Sequence, residues 1–531
     1  MPSSLTYPGV YIEEIPSGIR TVTGVATSVT AFVGRAQRGP VGEPVVLSSF
    51  RDYERNFGGL WLDSTMSFAV YDFFKNGGSQ AVIVRAFKKP TTTATDGSTT
   101  SASGVATFTA DTLGLSAKSP GTWAANLLVS VDYTDRTSDV SAEIAKNLGI
   151  ATSDLFNVAI TYFAASGAVT ERFVNVNLKD NVRRVDRVLE QKSLFVRVTA
   201  GSDGNPTLPT AVPAASTANA TTGEVGVRAN TGTALDSLPL TSTEYDFSVL
   251  DKTDTVNLIC VPPDTRGGDT ANSVYSNALT YAVKRRAILI VDPPAAWSSK
   301  AAQDIKTSDL GLTGPAARNA VVYYPRIRKP NPLRSDLVEE FAPSGLCAGI
   351  ISRTDTQRGI WKSPAGIDAA LYGVDSVLPK LSDSDSGTLN PMGVNCIRSF
   401  PASGQVIWGA RTLRGADALG DEYKYLSVRR LALYLEESIY RGTQWAVFEP
   451  NDEPLWAQIR LNIGTFMQNL FRQGAFQGSS PRDAYFVKCD KETTTAADIQ
   501  AGIVNIVIGF APLKPAEFVV IKFQQAAGQS S

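Results

Sequence analysis

A chain of 531 residues is long for one compact unit and implies two to four. Apolar residues make up 43 % and charged residues 19 %, enough for several cores, and a formal net charge of −1 leaves no basic field for nucleic acid or an acidic membrane surface. The sequence holds no histidine, which excludes Ser-His-Asp and Cys-His catalysis, imidazole metal ligation and the commonest general base at neutral pH.

Residues 1–20 read as an arm: Pro2, Pro8, Gly9, Pro16 and Gly18 punctuate one short β-prone run, Val10-Tyr11-Ile12, too short to bury itself. A β-like stretch follows through Val22, Val25, Val29 and Phe32, then the turn Arg38-Gly39-Pro40. The spacing of Phe68, Tyr71 and Phe74 predicts a helix over Ser64–Lys75, ended by Asn76-Gly77-Gly78, and Ala81–Val84 is a buried-strand candidate. Residues 91–101 and about 200–235 are rich in Thr, Ser, Ala and Gly and read as linkers. Between them Leu127–Val131 and Leu194–Val198 are strand-like, so an inserted domain is expected over 90–240, carried on a host whose first part is 21–89.

The host resumes near Tyr245. Apolar runs at Val256–Val261, Ala287–Val291 and Ala320–Tyr324, with a helix predicted over Asn272–Arg286, argue for a buried, mostly parallel sheet. The last third reads as α+β: a helix over Tyr423–Ile439, a second from Pro454 to Arg472 capped by Asn451 or Asp452, and strands at Trp445–Phe448, Ala484–Lys488 and Ile503–Phe510. The chain closes with Phe518-Val519-Val520-Ile521-Lys522-Phe523, so a β-prone segment stands at each end, either paired within the chain or donated to another.

Cys260, Cys347, Cys396 and Cys489 are far apart in apolar surroundings and are expected to be buried thiols, consistent with folding in a bacterial-type cytoplasm. There is no Walker loop, dinucleotide fingerprint or EF-hand loop, and neither catalytic, metal nor cofactor residues are assigned. The absence of a basic-then-apolar leader or an apolar run of about 18 residues predicts neither a signal peptide nor a membrane span.

Four stretches resemble the contractile tail-sheath family: Tyr7–Glu14, Gly121-Thr122-Trp123-Ala124-Ala125-Asn126, Leu389–Asn395 with Gly404–Leu413, and Arg429-Arg430-Leu431 with Phe448–Asn451. The resemblance implies an α/β and α+β multidomain chain. Its parts would be a subtilisin-like sheath domain over 241–395, an outward-facing β-rich insertion over 90–240, an inner-wall C-terminal domain over 396–513, and strand-exchange arms over 1–20 and 514–531. It implies a structural subunit, not an enzyme, that stacks as hexameric rings around an inner tube and contracts. Implied partners are other copies, the tube protein, and baseplate and terminal cap proteins, without nucleic acid or membrane insertion. Assembly would be in the bacterial cytoplasm, in a phage tail or a released or intracellular injection particle.

On this reading Val10, Tyr11, Ile12, Phe518, Val519, Val520, Ile521 and Phe523 exchange strands, Ser17-Gly18 and Pro512–Pro515 are hinges, and Arg460 and Arg472 are candidate tube contacts. Arg429 and Arg430 are expected on a solvated face or subunit interface, and Trp408 and Trp445 in the core. A subtilisin-type hydrolase is the rival that the missing histidine removes. A surface-layer or adhesin protein is a second, suggested by the Thr/Ser/Ala tracts, and it requires a secretion signal or anchor.

Overall fold

The apolar runs of the sequence become one sheet, buried on both faces, as strands covered by helices on each side must be. In the computed structural model, which describes residues 21–93, 99–101, 104–164, 167–219, 223–228 and 240–522, eight strands pair in an order far from that of the chain. That order is Val45–Leu47, Ala81–Arg85, Thr30–Gly34, Leu258–Cys260, Ile288–Val291, Ala320–Tyr324, Val394–Phe400 and Gly404–Trp408. The inner strands run parallel, and the outermost strand at each edge is antiparallel to its neighbour. Residue alternation splits the core: Ala31, Val33, Ile259 and Leu289 face one layer, Phe32, Leu258, Ile290 and Tyr323 the other.

Helix Asn272–Lys284 covers the first layer with Val274, Ala278 and Ala282. Helices Met66–Lys75 and Ser344–Arg358 cover the second. Those two pack backbone to backbone. A Cβ on Gly345 would stand 2.2 Å from the Ala69 carbonyl oxygen, and one on Gly349 2.5 Å from that of Phe73. The expectation of a mixed α/β, multidomain chain therefore holds.

Between Ala81–Arg85 and Leu258–Cys260 the chain builds a second, β-rich body. Its four-stranded antiparallel sheet runs Gly167–Val176, Phe156–Ala164, Leu127–Asp132, Val227–Arg228, beside a three-stranded sheet of Val196–Val198, Leu113–Ala117 and Thr107–Ala110. Phe108, Leu115, Trp123, Val129, Ile160 and Leu189 form its core. Arginines tie it to the main sheet. The Arg38 guanidinium lies 4.8 Å from the Phe195 ring centre and 5.2 Å from that of Tyr162, while donating to the Glu54 and Arg55 carbonyls. Arg85 donates to the carbonyls of Ala36, Gly39 and Pro120.

The two tracts read as linkers are more structured than their composition suggests. Thr91–Thr93 pairs antiparallel with Thr99–Ser101. The Ser216 amide donates to the Val131 carbonyl and the Ala214 amide to Asp111, each at 2.8 Å, and Val227–Arg228 pairs with Leu128 and Val129. A polar tract with few apolar side chains still brings backbone donors and acceptors, and here a sheet edge takes them.

In the C-terminal third, helices Leu426–Gly442 and Glu453–Arg472 meet through Leu431 and Leu435 on one and Leu455, Ile459, Ile463, Phe466 and Leu470 on the other. Asp452 caps the second helix, with Pro454 in its first turn. Tyr485–Lys488 and Val507–Phe510 make a two-stranded antiparallel sheet beside it.

Three sequence expectations fail. Trp445–Phe448 is no strand: Gln444–Ala446 forms a 3₁₀ turn and Phe448 takes a left-handed φ of 71°. The ten residues 443–452 that join two packed helices have no sheet edge to pair with among the described residues, so aromatic β-propensity is overridden. Trp408 is not core but 41 % exposed at the end of the outermost strand, its ring 4.7 Å from Phe400. Arg430 is neither solvated nor at an outer surface. It is 3 % exposed, pairs with Asp355 at 2.8 Å and donates to the Thr27 carbonyl at 3.0 Å, bolting three segments together. The four cysteines are buried free thiols, as expected, and Trp445 is half-buried against the C-terminal core.

Candidate assembly interface

Past Phe510 the pairing runs on for two residues and stops: the Ala511 carbonyl accepts the Gln477 amide at 2.9 Å and Pro512 bridges antiparallel to Phe476. The Ala511 amide still donates to the Ala484 carbonyl at 2.8 Å, but Pro512 and Pro515 carry no N–H and end the ladder. Glu517 is then seized by the buried Arg411, whose Nε donates to it at 2.8 Å and whose Nη2 at 2.5 Å. Beyond this point Phe518, Val519, Val520 and Ile521 belong to no strand or helix and are 77, 82, 78 and 71 % exposed. Four consecutive large apolar residues in water are costly, at about 1.5–3 kcal/mol each relative to full burial. Of the other expected exchange residues, Val10, Tyr11, Ile12 and Phe523 lie outside the described residues, as does the Ser17-Gly18 hinge.

The N-terminal segment reaches the same third of the molecule. Val22 is buried against Gly442, whose Cβ would stand 2.7 Å from a Val22 methyl. Gly24 passes under the Tyr434 hydroxyl, where a Cβ would meet it at 2.0 Å, and the Val25 amide donates to the Ser438 hydroxyl at 3.2 Å. The start of the described chain is thus laid along helix Leu426–Gly442.

The ribbon of Tyr485–Lys488 and Val507–Phe510 pairs with no third strand among the described residues. Two strands alone are marginal in water, and each offers an outer edge of backbone donors and acceptors. Phe486 is 50 % exposed, and Val507 and Ile503 nearly as much. The Asn451 side-chain amide donates to the Ile503 carbonyl at 3.0 Å and holds the loop carrying the fully exposed Phe448 beside this ribbon.

Helix Glu453–Arg472 turns Ala457, Gln458, Leu461, Thr465, Asn469 and Arg472 outward. Arg460 is spent within the chain, pairing with Glu453 at 2.5 Å and donating to the Cys489 carbonyl. Arg472 is exposed in the last turn, where the helix dipole favours a cation. Arg429 is held over the Tyr423 ring at 4.7 Å and donates to Asn319 at 3.1 Å. No group of three or more acidic or cysteine side chains is placed to hold a metal among the described residues, and no helix among them is long and apolar enough to cross a membrane.

Two family models match this chain: the phage tail sheath protein central domain over residues 248–413, and the phage tail sheath C-terminal domain over residues 420–526. Together they take in just over half of it, including the paired helices, the ribbon and the exposed apolar segment. The chain belongs to the contractile tail-sheath family. The tail sheath protein of Burkholderia phage BcepMu is 26 % identical over 222 residues, 39 % of this chain and 44 % of that one. The tail sheath protein of Enterobacteria phage T4 is 23 % identical over 182 residues, 34 % of this chain and 26 % of that one. The chain thus spans under half the length of these two relatives.

Solved sheath structures match along nearly the whole chain in fold. The helical sheath of the anti-feeding prophage in its contracted state gives a TM-score of 0.56 at 22 % identity, covering 98 % of this chain and 100 % of that one. The contracted PVC sheath of an extracellular contractile injection system gives 0.55 at 20 % identity, covering 98 % of each. The sheath tail protein of Listeria innocua gives 0.56 at 12 % identity, covering 93 and 96 %.

Proposed function

We propose that this chain is a structural subunit of the contractile sheath that surrounds an inner tube, and that it becomes a complete fold only in the polymer. The observation that carries this is the run Phe518–Ile521, four exposed apolar residues without a strand partner among the described residues, in a chain whose ribbon Tyr485–Lys488/Val507–Phe510 pairs with no third strand among them. Each segment supplies what the other lacks. Within one copy the two prolines and the Arg411–Glu517 pair direct the segment away, so the edge it fills is a neighbour's, by strand addition. Val10-Tyr11-Ile12 is the corresponding donor from the N-terminal arm.

Subunits stacked as hexameric rings and joined by such main-chain bonds stay linked while they rotate as rigid bodies. The central sheet, of the subtilisin-like type in this reading, serves as that rigid body, with the β-rich insertion facing outward. Contraction is driven by surfaces that meet only afterwards: about 500 Å² of apolar contact per subunit is worth up to ~12 kcal/mol, before the entropic costs of docking. Assembly takes place in the bacterial cytoplasm, with baseplate and cap proteins at the two ends. The carrier is a tail-like injection particle or a phage tail.

Negative-stain imaging of the purified chain tests this reading. Hollow striated cylinders are expected, and only monomers or amorphous aggregate at every concentration and salt would sink it.

The tube is held weakly, so that it is released on firing. Arg472 at the exposed end of helix Glu453–Arg472 is the better-placed candidate cation for an acidic tube surface, because Arg460 already has two partners in its own chain. R472E is expected to lower the fraction of tube retained in isolated extended particles, with sheath length unchanged. Full retention would remove Arg472 from the contact.

A further inference from the structure

We infer that Arg411 moors the C-terminal arm, fixing the direction in which Phe518–Ile521 leaves the subunit and tying that direction rigidly to the central sheet. The inference rests on the sheath reading for one of its two measurements only.

The chain of contacts is continuous. Asn395, on the strand Val394–Phe400, donates to the Val322 carbonyl of the neighbouring strand at 3.0 Å and to the Arg411 carbonyl at 2.8 Å, and accepts the Arg411 amide at 2.7 Å. The backbone at 411 is therefore fixed to the sheet from both sides. Its side chain is 1 % exposed, and each of the three guanidinium nitrogens has a partner. One nitrogen donates to the carbonyls of Asn390 at 3.0 Å and Gly415 at 3.2 Å and to Asp417 at 3.0 Å, and the other two grip both oxygens of Glu517. The Tyr425 hydroxyl adds a contact to Glu517 at 3.3 Å. No slack is left around Arg411: a Cβ at Gly415 would stand 2.7 Å from the Arg411 Cβ.

Placement gives this grip its meaning. Among the described residues Glu517 is the last one gripped by the body, and the next four stand in water. An ion pair with both carboxylate oxygens engaged fixes angle as well as distance, which a single bond or an apolar contact does not. A flexible leash would join subunits equally well but could not set the geometry at which a neighbour receives the strand. A moored one makes arm direction a property of the sheet, so rotation of one subunit is passed to the next through Asn395, Arg411 and Glu517. The arm side of the pair can be cut safely, because Arg411 keeps Asp417 and two carbonyls.

The experiment compares wild type with E517A and E517Q in the full-length chain. In the unassembled subunit, E517A is expected to lower the backbone order parameters at Ala516 and Glu517 from the rigid range of about 0.85 to below about 0.6, with those of Val394–Phe400 unchanged and E517Q intermediate. In assembly, E517A is expected to lower the ratio of extended to contracted cylinders, again with E517Q between. Unchanged order parameters at 516 and 517 overturn the mooring. Lower order parameters with an unaltered extended-to-contracted ratio also overturn it, since the pair would then be a local tie without consequence for geometry. Wild-type chain that forms no cylinder overturns the sheath reading instead, and the order parameters then decide the mooring by themselves.

Discussion

Asp292 shows how much one side chain can carry inside this sheet. It follows the strand Ile288–Val291, is buried, and accepts the Ser344 amide at 2.8 Å and hydroxyl at 2.7 Å, which pins the start of helix Ser344–Arg358. Burial pushes its carboxyl up to about 6, against the opposing pull of the Ser344 bonds and Arg326. The folded state therefore holds this proton more tightly than the unfolded one. Its contribution to stability is full below the ordinary carboxylate value of 3.8 and is lost as pH rises towards about 6. D292N keeps an acceptor for the Ser344 amide but cannot ionise. Across that window it should gain on wild type by up to ~3 kcal/mol, read from urea midpoints at pH 4 and pH 7. A difference independent of pH would show that Asp292 does not titrate in the fold. Such roles are not legible in the sequence, because they join residues 52 apart, as Arg411 and Glu517 are joined across 106. Arg430 misled for the same reason: a charge is read as surface unless its buried partner, Asp355, is in view.

At the scale of the element, what was readable is what local physics alone dictates. Ala320–Tyr324 is a strand at the bounds its apolar run implies, and the helix from Pro454 differs from expectation by one residue at its start. Asp452, Pro454 and the stripe from Leu455 to Leu470 leave that segment no other conformation. Trp445–Phe448 has the composition of a strand, but whether a strand forms depends on a partner edge that the sequence does not display. The arm is the converse case: its composition is strand-like, and no partner strand accompanies it among the described residues. V519P with I521P removes two ladder donors from an exposed segment. It should leave a folded, soluble subunit with unaltered thermal unfolding that cannot form extended sheath. Extended sheath at wild-type yield, by electron microscopy, would contradict strand donation by this arm.

For the molecule as a whole, division of labour follows from which surfaces are satisfied. The parallel sheet is covered on both faces and edged by antiparallel strands, so it is finished as it stands. The β-rich insertion has its own core and is secured by Arg38 and Arg85, so it too is finished. Among the described residues the last third gathers the exposed apolar groups, with a two-stranded ribbon, an exposed Phe448 and an apolar segment in water. That asymmetry was partly visible in the sequence as β-prone termini outside any predicted domain. The receiving edge was not, because Ala484–Lys488 and Ile503–Phe510 read as ordinary strands whose neighbours only coordinates reveal. The most direct test uses two differently tagged populations, one carrying V519C or I521C and the other F486C or V507C, mixed before assembly and oxidised mildly. Disulfides between differently tagged chains, formed in the polymer and absent from the unassembled mixture, are predicted. Bonds closed within a single doubly substituted chain before assembly, or none in well-formed cylinders, would contradict the claim that each subunit is completed by its neighbours.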